Sequence, residues 1–358
     1  MNEGIIAVGM SGGVDSSVAA FLLKKEWSRV VGVSHYIWKD SACCNTETLD
    51  RARDICRRLD IPFIIINLME EFTRYVVDDF VESYQQGETP NPCVRCNEFV
   101  RFGIFPGEIK KRLIEKGLME DGEVLHMATG HYVRTAERDG STCLRKGADS
   151  YKDQSYMLYR INPDILPRCR FPLGDMRKRE VISIAEEKGF PTSSIKESQD
   201  VCFVEGKYTD FIAEHVGESG IHFPGPIVNL YGMPLGTHRG YMNYTIGQRQ
   251  GLGLSDGPWY VAELRSATNT VVVARKEELG RREFRIRRPH WFTAVPENLE
   301  AKVRVRYNSK EVPCRISRNP DSAGETIITL EEEHVITPGQ SAVVYDGEVV
   351  LGGGIIRL

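Results

Sequence analysis

Seven consecutive residues near the start of the chain, Ser11-Gly12-Gly13-Val14-Asp15-Ser16-Ser17, combine the features that anion binding needs. Two glycines let the backbone curl close to a ligand. The segment follows a strand-like apolar run and opens a helix-like one, so free N–H groups and the positive end of a helix dipole face an incoming anion. Ser11, Ser16 and Ser17 add hydroxyl donors. The string is neither the G-x-x-x-x-G-K-[ST] loop of γ-phosphate hydrolases nor the G-x-G-x-x-G dinucleotide fingerprint. A plain Gly-rich turn with Asp15 as a capping residue is the alternative reading.

Sulfur supplies the second chemistry. Thr89-Pro90-Asn91-Pro92-Cys93-Val94-Arg95-Cys96-Asn97 puts two thiols at C-x-x-C spacing after two prolines that hold the approach extended. Arg95 between them could favour a thiolate. A third thiol, Cys202, lies in the polar stretch Ser198-Gln199-Asp200-Val201-Cys202-Phe203. A C-x-x-C can be a redox or nucleophilic pair, a metal or cluster ligand, or coincidence among nine cysteines. No second such pair completes a tetrahedral zinc site, which argues against structural zinc.

These residues need elements to hold them. Apolar runs at 5–10, 30–36, 62–68 and 125–130 read as strands, and 14–25, 51–59 and 178–188 carry helical spacing. Strand–helix–strand repetition predicts an α/β domain with a parallel sheet and helices on both faces. Beyond residue 205 the texture changes. Residues 217–257 are dense in Gly and Pro and predict a small loop-rich or β-rich module. Short alternating runs at 270–274, 301–307, 326–330, 341–345 and 348–351, with turns such as Asp346-Gly347, predict a small antiparallel barrel.

A chain of 358 residues is too long for one core and predicts two or three domains. No apolar run approaches the roughly 18 residues of a membrane span, and the N-terminus carries no secretory pattern, so a soluble, cytoplasmic protein is expected. The net charge of −4 speaks against a nucleic-acid binder taken as a whole. The distribution speaks otherwise: residues 275–318 hold thirteen Lys and Arg against six Glu, including Arg281, Arg282, Arg285, Arg287, Arg288, Arg304 and Arg306. A local basic face of this kind can hold phosphates, although a solvated strand surface would look the same.

The phosphate loop resembles the PP-loop of ATP pyrophosphatases, which split ATP between its α and β phosphates and pass AMP to a substrate oxygen. Longer strings narrow the resemblance. GMSGGVDSS (9–17), TPNPCVRCN (89–97), ATGHYVR (128–134), KDQSYMLY (152–159), CFV (202–204), TIGQRQGLG (245–253), PWYV (258–261) and TPGQSAVVYDGEVVLGGGII (337–356) are together similar to the tRNA-uridine 2-sulfurtransferase, or 2-thiouridylase, family.

That resemblance implies a Rossmann-type catalytic domain of the adenine nucleotide α-hydrolase kind over residues 1–205, a small central domain over 206–270 and a C-terminal β-barrel over 271–358. It implies ATP-dependent 2-thiolation of uridine 34 in tRNA for Lys, Glu and Gln, with AMP and pyrophosphate as products and Mg²⁺ on the phosphates. Gly9, Met10, Ser11, Gly12, Gly13, Val14, Asp15 and Ser16 correspond to the ATP-binding loop, with Gly130 and His35 as further nucleotide contacts. Cys96 corresponds to the sulfur carrier and Cys202 to its partner, with Asp15 the third catalytic residue.

Asn91, Pro92 and Cys93 correspond to the segment that meets the target base, and Lys152, Asp153, Gln154, Arg306 and Tyr307 to tRNA contacts. His131 and Gln340 match positions tied to tRNA selection. Two positions depart from the common pattern: Cys93 stands where many members have Asp, and His35 where many have Met. If the fold brings Cys202 to the Cys93–Cys96 loop, Cys93, Cys96 and Cys202 could hold a 4Fe–4S cluster with one open iron. Otherwise Cys93 is a spare thiol beside a persulfide-and-disulfide pair. The sulfur donor would be a persulfide-carrying sulfurtransferase, a cysteine desulfurase or inorganic sulfide, and a monomer is favoured. Another PP-loop ligase or amidotransferase acting on a small molecule, and a non-catalytic nucleotide- or RNA-binding module, are the competing classes.

Overall fold

A computed structural model describes residues 2–39, 45–190, 201–217, 223–318 and 326–358. The stretch 198–200 beside Cys202 and the proline expected to stop the helix at 178–188 lie outside the described residues. The chain forms two compact units, Met1–Val76 with Cys93–Phe203 and Glu348–Val350, and Val77–Pro92 with Val204–Gly347 and Leu351–Leu358.

The first unit is built on strands β1 (Asn2–Gly9), β2 (Trp27–Tyr36), β3 (Phe63–Asn67), β4 (Leu125–Ala128) and, after the hairpin β5 (Val133–Arg138) and β6 (Ser141–Lys146), the short β7 (Cys169–Arg170). The sheet order is β3-β2-β1-β4-β7, all parallel. Strand β1 is central, and Ile5, Ile6, Ala7 and Val8 are at most 1% exposed. A strand covered on both faces reads as a continuous apolar run, which is why it stands out in the sequence. Helix α1 (Val14–Glu26) carries the chain from β1 to β2, and α2 (Thr46–Arg58) from β2 to β3. Val18, Ala19, Ala20 and Leu23 of α1 pack with Ala52, Ile55 and Cys56 of α2 in one core.

After β3 the chain returns to the other side of β1 as β4. The strand order therefore reverses at β1, and the crevice beyond the carboxyl ends of β1 and β4 is where an open α/β sheet binds ligands. In the β5–β6 hairpin, Asp139 and Gly140 both adopt positive φ at the turn, the geometry that suits a tight two-residue connection. Residue Val349 pairs with Arg145 of β6.

The second unit holds two β structures. Strands β8 (Gly225–Asn229), β9 (Pro234–His238), β10 (Tyr260–Arg265) and β11 (Thr270–Ala274) form a sheet in the order β10-β11-β8-β9. Ile227, Val261, Val271 and Val273 with Tyr244 and Ile246 make its core. Strands β12 (Gly280–Trp291), β13 (Asn298–Arg304), β14 (Val312–Arg318), β15 (Thr326–Val335), β16 (Ser341–Asp346) and β17 (Val349–Arg357) run β12-β15-β14-β13-β16-β17, and β12 pairs back onto β17. This is a closed antiparallel six-stranded barrel, which removes exposed strand edges. No helix among the described residues is long and apolar enough to cross a membrane.

Candidate nucleotide and sulfur site

The loop between β1 and α1 lies at the reversal of strand order. Gly12 takes φ +71°, and a Cβ there would stand 2.6 Å from the Thr48 carbonyl oxygen, so only glycine fits against α2. Ser11 N–H donates to Ser16 Oγ at 3.2 Å, and the Ser16 and Ser17 hydroxyls donate to the Gly13 carbonyl at 3.0 and 2.7 Å. The loop is thereby folded on itself. Gly13 caps α1 without a side chain, so the first N–H groups of the helix are left to solvent or to an anion. A Cβ on Gly130 would come within 2.8 Å of the Asp15 backbone carbonyl carbon; this glycine lets the end of β4 lie against the start of α1.

A cleft of about 210 Å³ opens here. Gly9, Met10, Ser11, Asp15, Ser16, His35, Gly130, His131 and Gln154 line it, together with Ser34, Thr48, Arg101 and Phe105. Most of the nucleotide contacts expected from the sequence thus meet in one place, with Gly12, Gly13 and Val14 in the loop beside them. His35 packs edge-on against Phe105 with ring centres 5.2 Å apart.

Asp15 is held by groups far away in the chain. Lys178 Nζ donates to its two carboxylate oxygens at 2.8 and 2.7 Å, and the Tyr132 hydroxyl donates to Oδ1 at 2.7 Å. An isolated carboxylate at the mouth of an anion site would repel polyphosphate, and Lys178 offsets that charge. Lys178 itself begins the helix Lys178–Glu187, and its N–H donates to Asp149 Oδ2 at 3.0 Å.

His131 is neutral. Burial, and next the Arg101 guanidinium, push it down to about 3. Arg101 lies 3.2 Å from Nε2 and Thr129 Oγ1 lies 2.7 Å from Nδ1. Arginine can only donate, so Nε2 accepts and Nδ1 carries the proton.

The thiols lie in the same unit, outside the lining of the cleft. Cys93 is exposed, whereas Cys96 and Cys202 are half-buried. Cys96 opens a wide helical turn, Cys96–Ile104, that continues from Pro92–Arg95. Buried Asn97 donates to the Met157 carbonyl at 3.0 Å, and Glu98 meets Arg160 at 2.7 Å, which fixes this turn to the 155–160 segment. Beside Cys202, Phe203 packs into Trp38 and Phe72, with ring centres 6.0 and 5.5 Å away. Among the described residues no three His, Cys, Asp or Glu side chains are gathered as a metal site.

Other expected contacts have structural partners. Asp153 is buried and accepts from the N–H groups of Gly147 and Ser155, each at 3.1 Å. Gln154 Oε1 accepts from Tyr132 N–H at 3.0 Å. Lys152 sits half-exposed on the preceding turn.

Asn91, Pro92, Arg306, Tyr307 and Gln340 belong to the second unit. There Arg306 donates to the Ile246 carbonyl at 3.1 Å and to the Thr337 hydroxyl. Gln340 Nε2 donates to the carbonyls of Thr89 and Pro90 at 2.9 and 3.3 Å, Thr89 N–H donates to the Pro338 carbonyl at 2.9 Å, and Arg287 pairs with Glu88. Gly339, at φ +87°, has no room for a Cβ against Thr89. The barrel thus grips residues 88–90, just ahead of Asn91-Pro92-Cys93.

Residues 4–206 match the family described as tRNA methyl transferase HUP domain, 209–275 its PRC-barrel domain, and 281–356 the aminomethyltransferase beta-barrel domain. A tRNA-specific 2-thiouridylase MnmA of Acidithiobacillus ferrooxidans is 40% identical, covering 98% of this chain and 97% of that protein. The protein of the same name from Chloroflexus aggregans is 40% identical, covering 98% of each.

The chain belongs to the tRNA-specific 2-thiouridylase family.

Among solved structures, the U34-tRNA thiolase NcsA from Methanococcus maripaludis, with its [4Fe-4S] cluster, overlaps with a TM-score of 0.35 at 18% identity, covering 61% of this chain and 67% of that one. An overlap of that size bears on neither substrate nor cofactor. Within the 2-thiouridylase framework, the sequence missed Lys178, Tyr132, Arg101 and Asp149. Only Tyr132 had a signal, as part of the string at 128–134; Lys178 was visible merely as the start of a helix.

Proposed function

We propose that this 2-thiouridylase family member uses ATP to replace the C2 oxygen of the wobble uridine of tRNA with sulfur. The observation that carries the proposal is the cleft at the reversal of strand order, where an uncapped helix N-terminus, the Ser11 and Ser16 hydroxyls and a lysine-held Asp15 converge. Uridine O2 is a poor leaving group. Its attack on the α-phosphate of ATP forms the O2–P bond, breaks the bond to the β-phosphate and expels pyrophosphate. The loop N–H groups supply fixed positive charge where that leaving group gathers negative charge, and Lys178 offsets the charge of Asp15 beside them. Asp15 offers a hard oxygen ligand for Mg²⁺, which neutralises polyphosphate when bound.

Sulfur then displaces AMP. In the reading favoured here Cys96 carries a persulfide whose outer sulfur bonds to C2 as AMP leaves. The Cys202 thiolate next attacks Cys96 Sγ, which releases 2-thiouridine and leaves a Cys96–Cys202 disulfide. Two electrons from an external dithiol restore both thiols. Dividing one hard substitution into two easier ones is the logic of covalent catalysis. The fixed turn at Cys96 and the anchored Phe203 beside Cys202 support this route. The cluster alternative is tested by iron and sulfide analysis of anaerobically purified wild type and Cys93→Ser; iron and sulfide held by wild type and lost with Cys93→Ser would favour it over the persulfide route.

The unpaired anticodon loop lets its bases splay out at modest cost, so the target uridine can enter a cleft. The sulfur arrives from a donor protein bearing a persulfide or from sulfide, and the reaction belongs to the cytoplasm, where tRNA and ATP meet. Catalytic, central and barrel parts over 1–205, 206–270 and 271–358 are the working division.

The domain descriptions speak of methyl transfer, whereas the full-length relatives speak of thiolation. A phosphate-binding loop at the cleft favours the latter, since methyl transfer has no pyrophosphate to expel. Incubation with labelled ATP and tRNA decides: AMP and pyrophosphate are expected, and ADP with phosphate, or methylated uridine without AMP, would overturn the proposal.

A further inference from the structure

Tyr151 is 96% exposed, the most exposed of the large apolar and aromatic side chains in the described structure. It does not sit on a loose loop. Asp149 Oδ1 accepts from Tyr151 N–H at 3.1 Å, and the Asp149 carbonyl accepts from Lys152 N–H at 3.0 Å. The other Asp149 oxygen accepts from Lys178 N–H at 3.0 Å. These backbone donors, Lys178 first, hold the Asp149 carboxyl below the usual carboxylate range. Ala148 N–H donates to the Gly174 carbonyl at 2.8 Å, and Gly147 N–H to Asp153 at 3.1 Å. A Cβ on Gly147 would stand 2.5 Å from the Tyr132 carbonyl oxygen. The turn is pinned along its length, and its apex presents an aromatic ring to solvent.

Position gives the ring a use. Gln154, three residues further on, lines the nucleotide cleft and holds Tyr132, whose hydroxyl holds Asp15. Tyr151 therefore stands three residues along the chain from a side chain that lines the cleft. The charge of its turn suits RNA: Lys146 and Lys152 flank it, while Asp149 and Asp153 are spent on backbone N–H groups. A fixed, exposed ring beside cations is what binds unstacked bases, because every base has a π-face and the ring loses little freedom on contact.

We propose that Tyr151 is a stacking platform for an unpaired nucleotide next to the base that enters the cleft. The proposal rests on the RNA-modifying reading above and adds a contact to it.

The test uses the full chain and an anticodon stem–loop RNA carrying 2-aminopurine beside the target uridine. Wild type and Tyr151→Phe should bind alike and quench the fluorophore. Tyr151→Ala should bind about tenfold more weakly or worse, as expected for loss of one stacked base, and leave the fluorophore bright. Binding of α,β-methylene-ATP should be unchanged in all three, which shows the fold intact. Wild-type affinity and quenching in Tyr151→Ala would overturn the platform. Equal losses in Phe and Ala would also overturn it, by assigning the contact to the hydroxyl. Normal RNA binding by Tyr151→Ala with slow sulfur transfer would overturn it too, by giving the ring to the sulfur donor. If wild type bound no RNA, the RNA-modifying reading itself would fail.

Discussion

Removing the lysine that faces Asp15 should cripple ATP binding while sparing AMP. In the structure Lys178 Nζ makes two contacts to Asp15, at 2.8 and 2.7 Å, and the Tyr132 hydroxyl makes the third. Lys178 and Asp15 side chains are 22% and 32% exposed, so solvent screens them only in part. In Lys178→Ala the Asp15 charge stays, backed by a hydroxyl alone, at the mouth of a site for a polyanion. At roughly 5 Å and an effective dielectric of about 20, one uncompensated charge facing one phosphate charge costs about 3 kcal/mol, or somewhat over a hundredfold in affinity. Titration calorimetry with α,β-methylene-ATP in the absence of Mg²⁺, which would otherwise sit against Asp15, should show that loss. AMP, which lacks the β and γ phosphates, should bind within about threefold of wild type. The double variant Asp15→Asn with Lys178→Ala should recover part of the loss, because the repelling charge is gone; such non-additivity is what a double-mutant cycle reads. Lys178→Ala binding the analogue within twofold of wild type, or equal loss for AMP, would refute the reasoning.

Ser16→Ala removes the hydroxyl that folds the loop onto Ser11 and Gly13 and should lower the rate of AMP and pyrophosphate formation about tenfold or more, with tRNA affinity measured by filter binding unchanged. Arg281 and Arg285 point outward from β12 while Phe284 and Ile286 are buried; changing both arginines to Gln should weaken tRNA binding and make its salt dependence shallower by about two phosphate contacts, read from affinity against salt. Gln340→Ala leaves two carbonyls at Thr89 and Pro90 without their donor and should cost about 1–2 kcal/mol, seen as a lower urea midpoint and faster proteolysis around residues 88–92. His131, pushed down to about 3, is neutral in the folded protein and takes up a proton more readily when unfolded. Its contribution is complete above its ordinary value near 6.5 and is lost as pH falls from there toward 3, so unfolding between pH 7 and 5 should ease by on the order of 1 kcal/mol more in wild type than in His131→Asn.

The barrel also limits what truncation can show. Cutting the chain near residue 270 removes Arg287, Pro338 and Gln340, which hold residues 88–90. It also removes Glu348, which pairs with Arg134 and Arg145 in the first unit. A truncated chain would lose these internal contacts along with the basic strands, so point variants of β12 are the cleaner probe.

The parallel sheet and the loop were legible because their signals are local. A fully buried strand is an unbroken apolar run, and a Gly-rich strand-to-helix turn follows it directly. The barrel was legible from alternation and turn residues for the same reason. Lys178 was not: it is 163 residues from Asp15, and nothing at position 178 distinguishes it from a surface lysine opening a helix. The basic stretch at 275–318 read as a possible RNA face from composition, yet Arg287, Arg304 and Arg306 are engaged by Glu88, Glu311 and the Ile246 carbonyl. Charge counts do not reveal which cations have internal partners. Asp153 was expected among the tRNA contacts from the resemblance alone; that its carboxylate is buried and accepts from the N–H groups of Gly147 and Ser155 has no signature in the string around it.

The most direct test of the central claim is nucleoside mass analysis of tRNA at position 34 after incubation with the purified protein, ATP, Mg²⁺ and a persulfide source. The account predicts 2-thiouridine at the wobble position, 16 mass units heavier than uridine by the exchange of oxygen for sulfur, formed only with ATP present and absent with Cys96→Ser. Unmodified uridine with a competent sulfur source, or thiolation that proceeds without ATP, would contradict it.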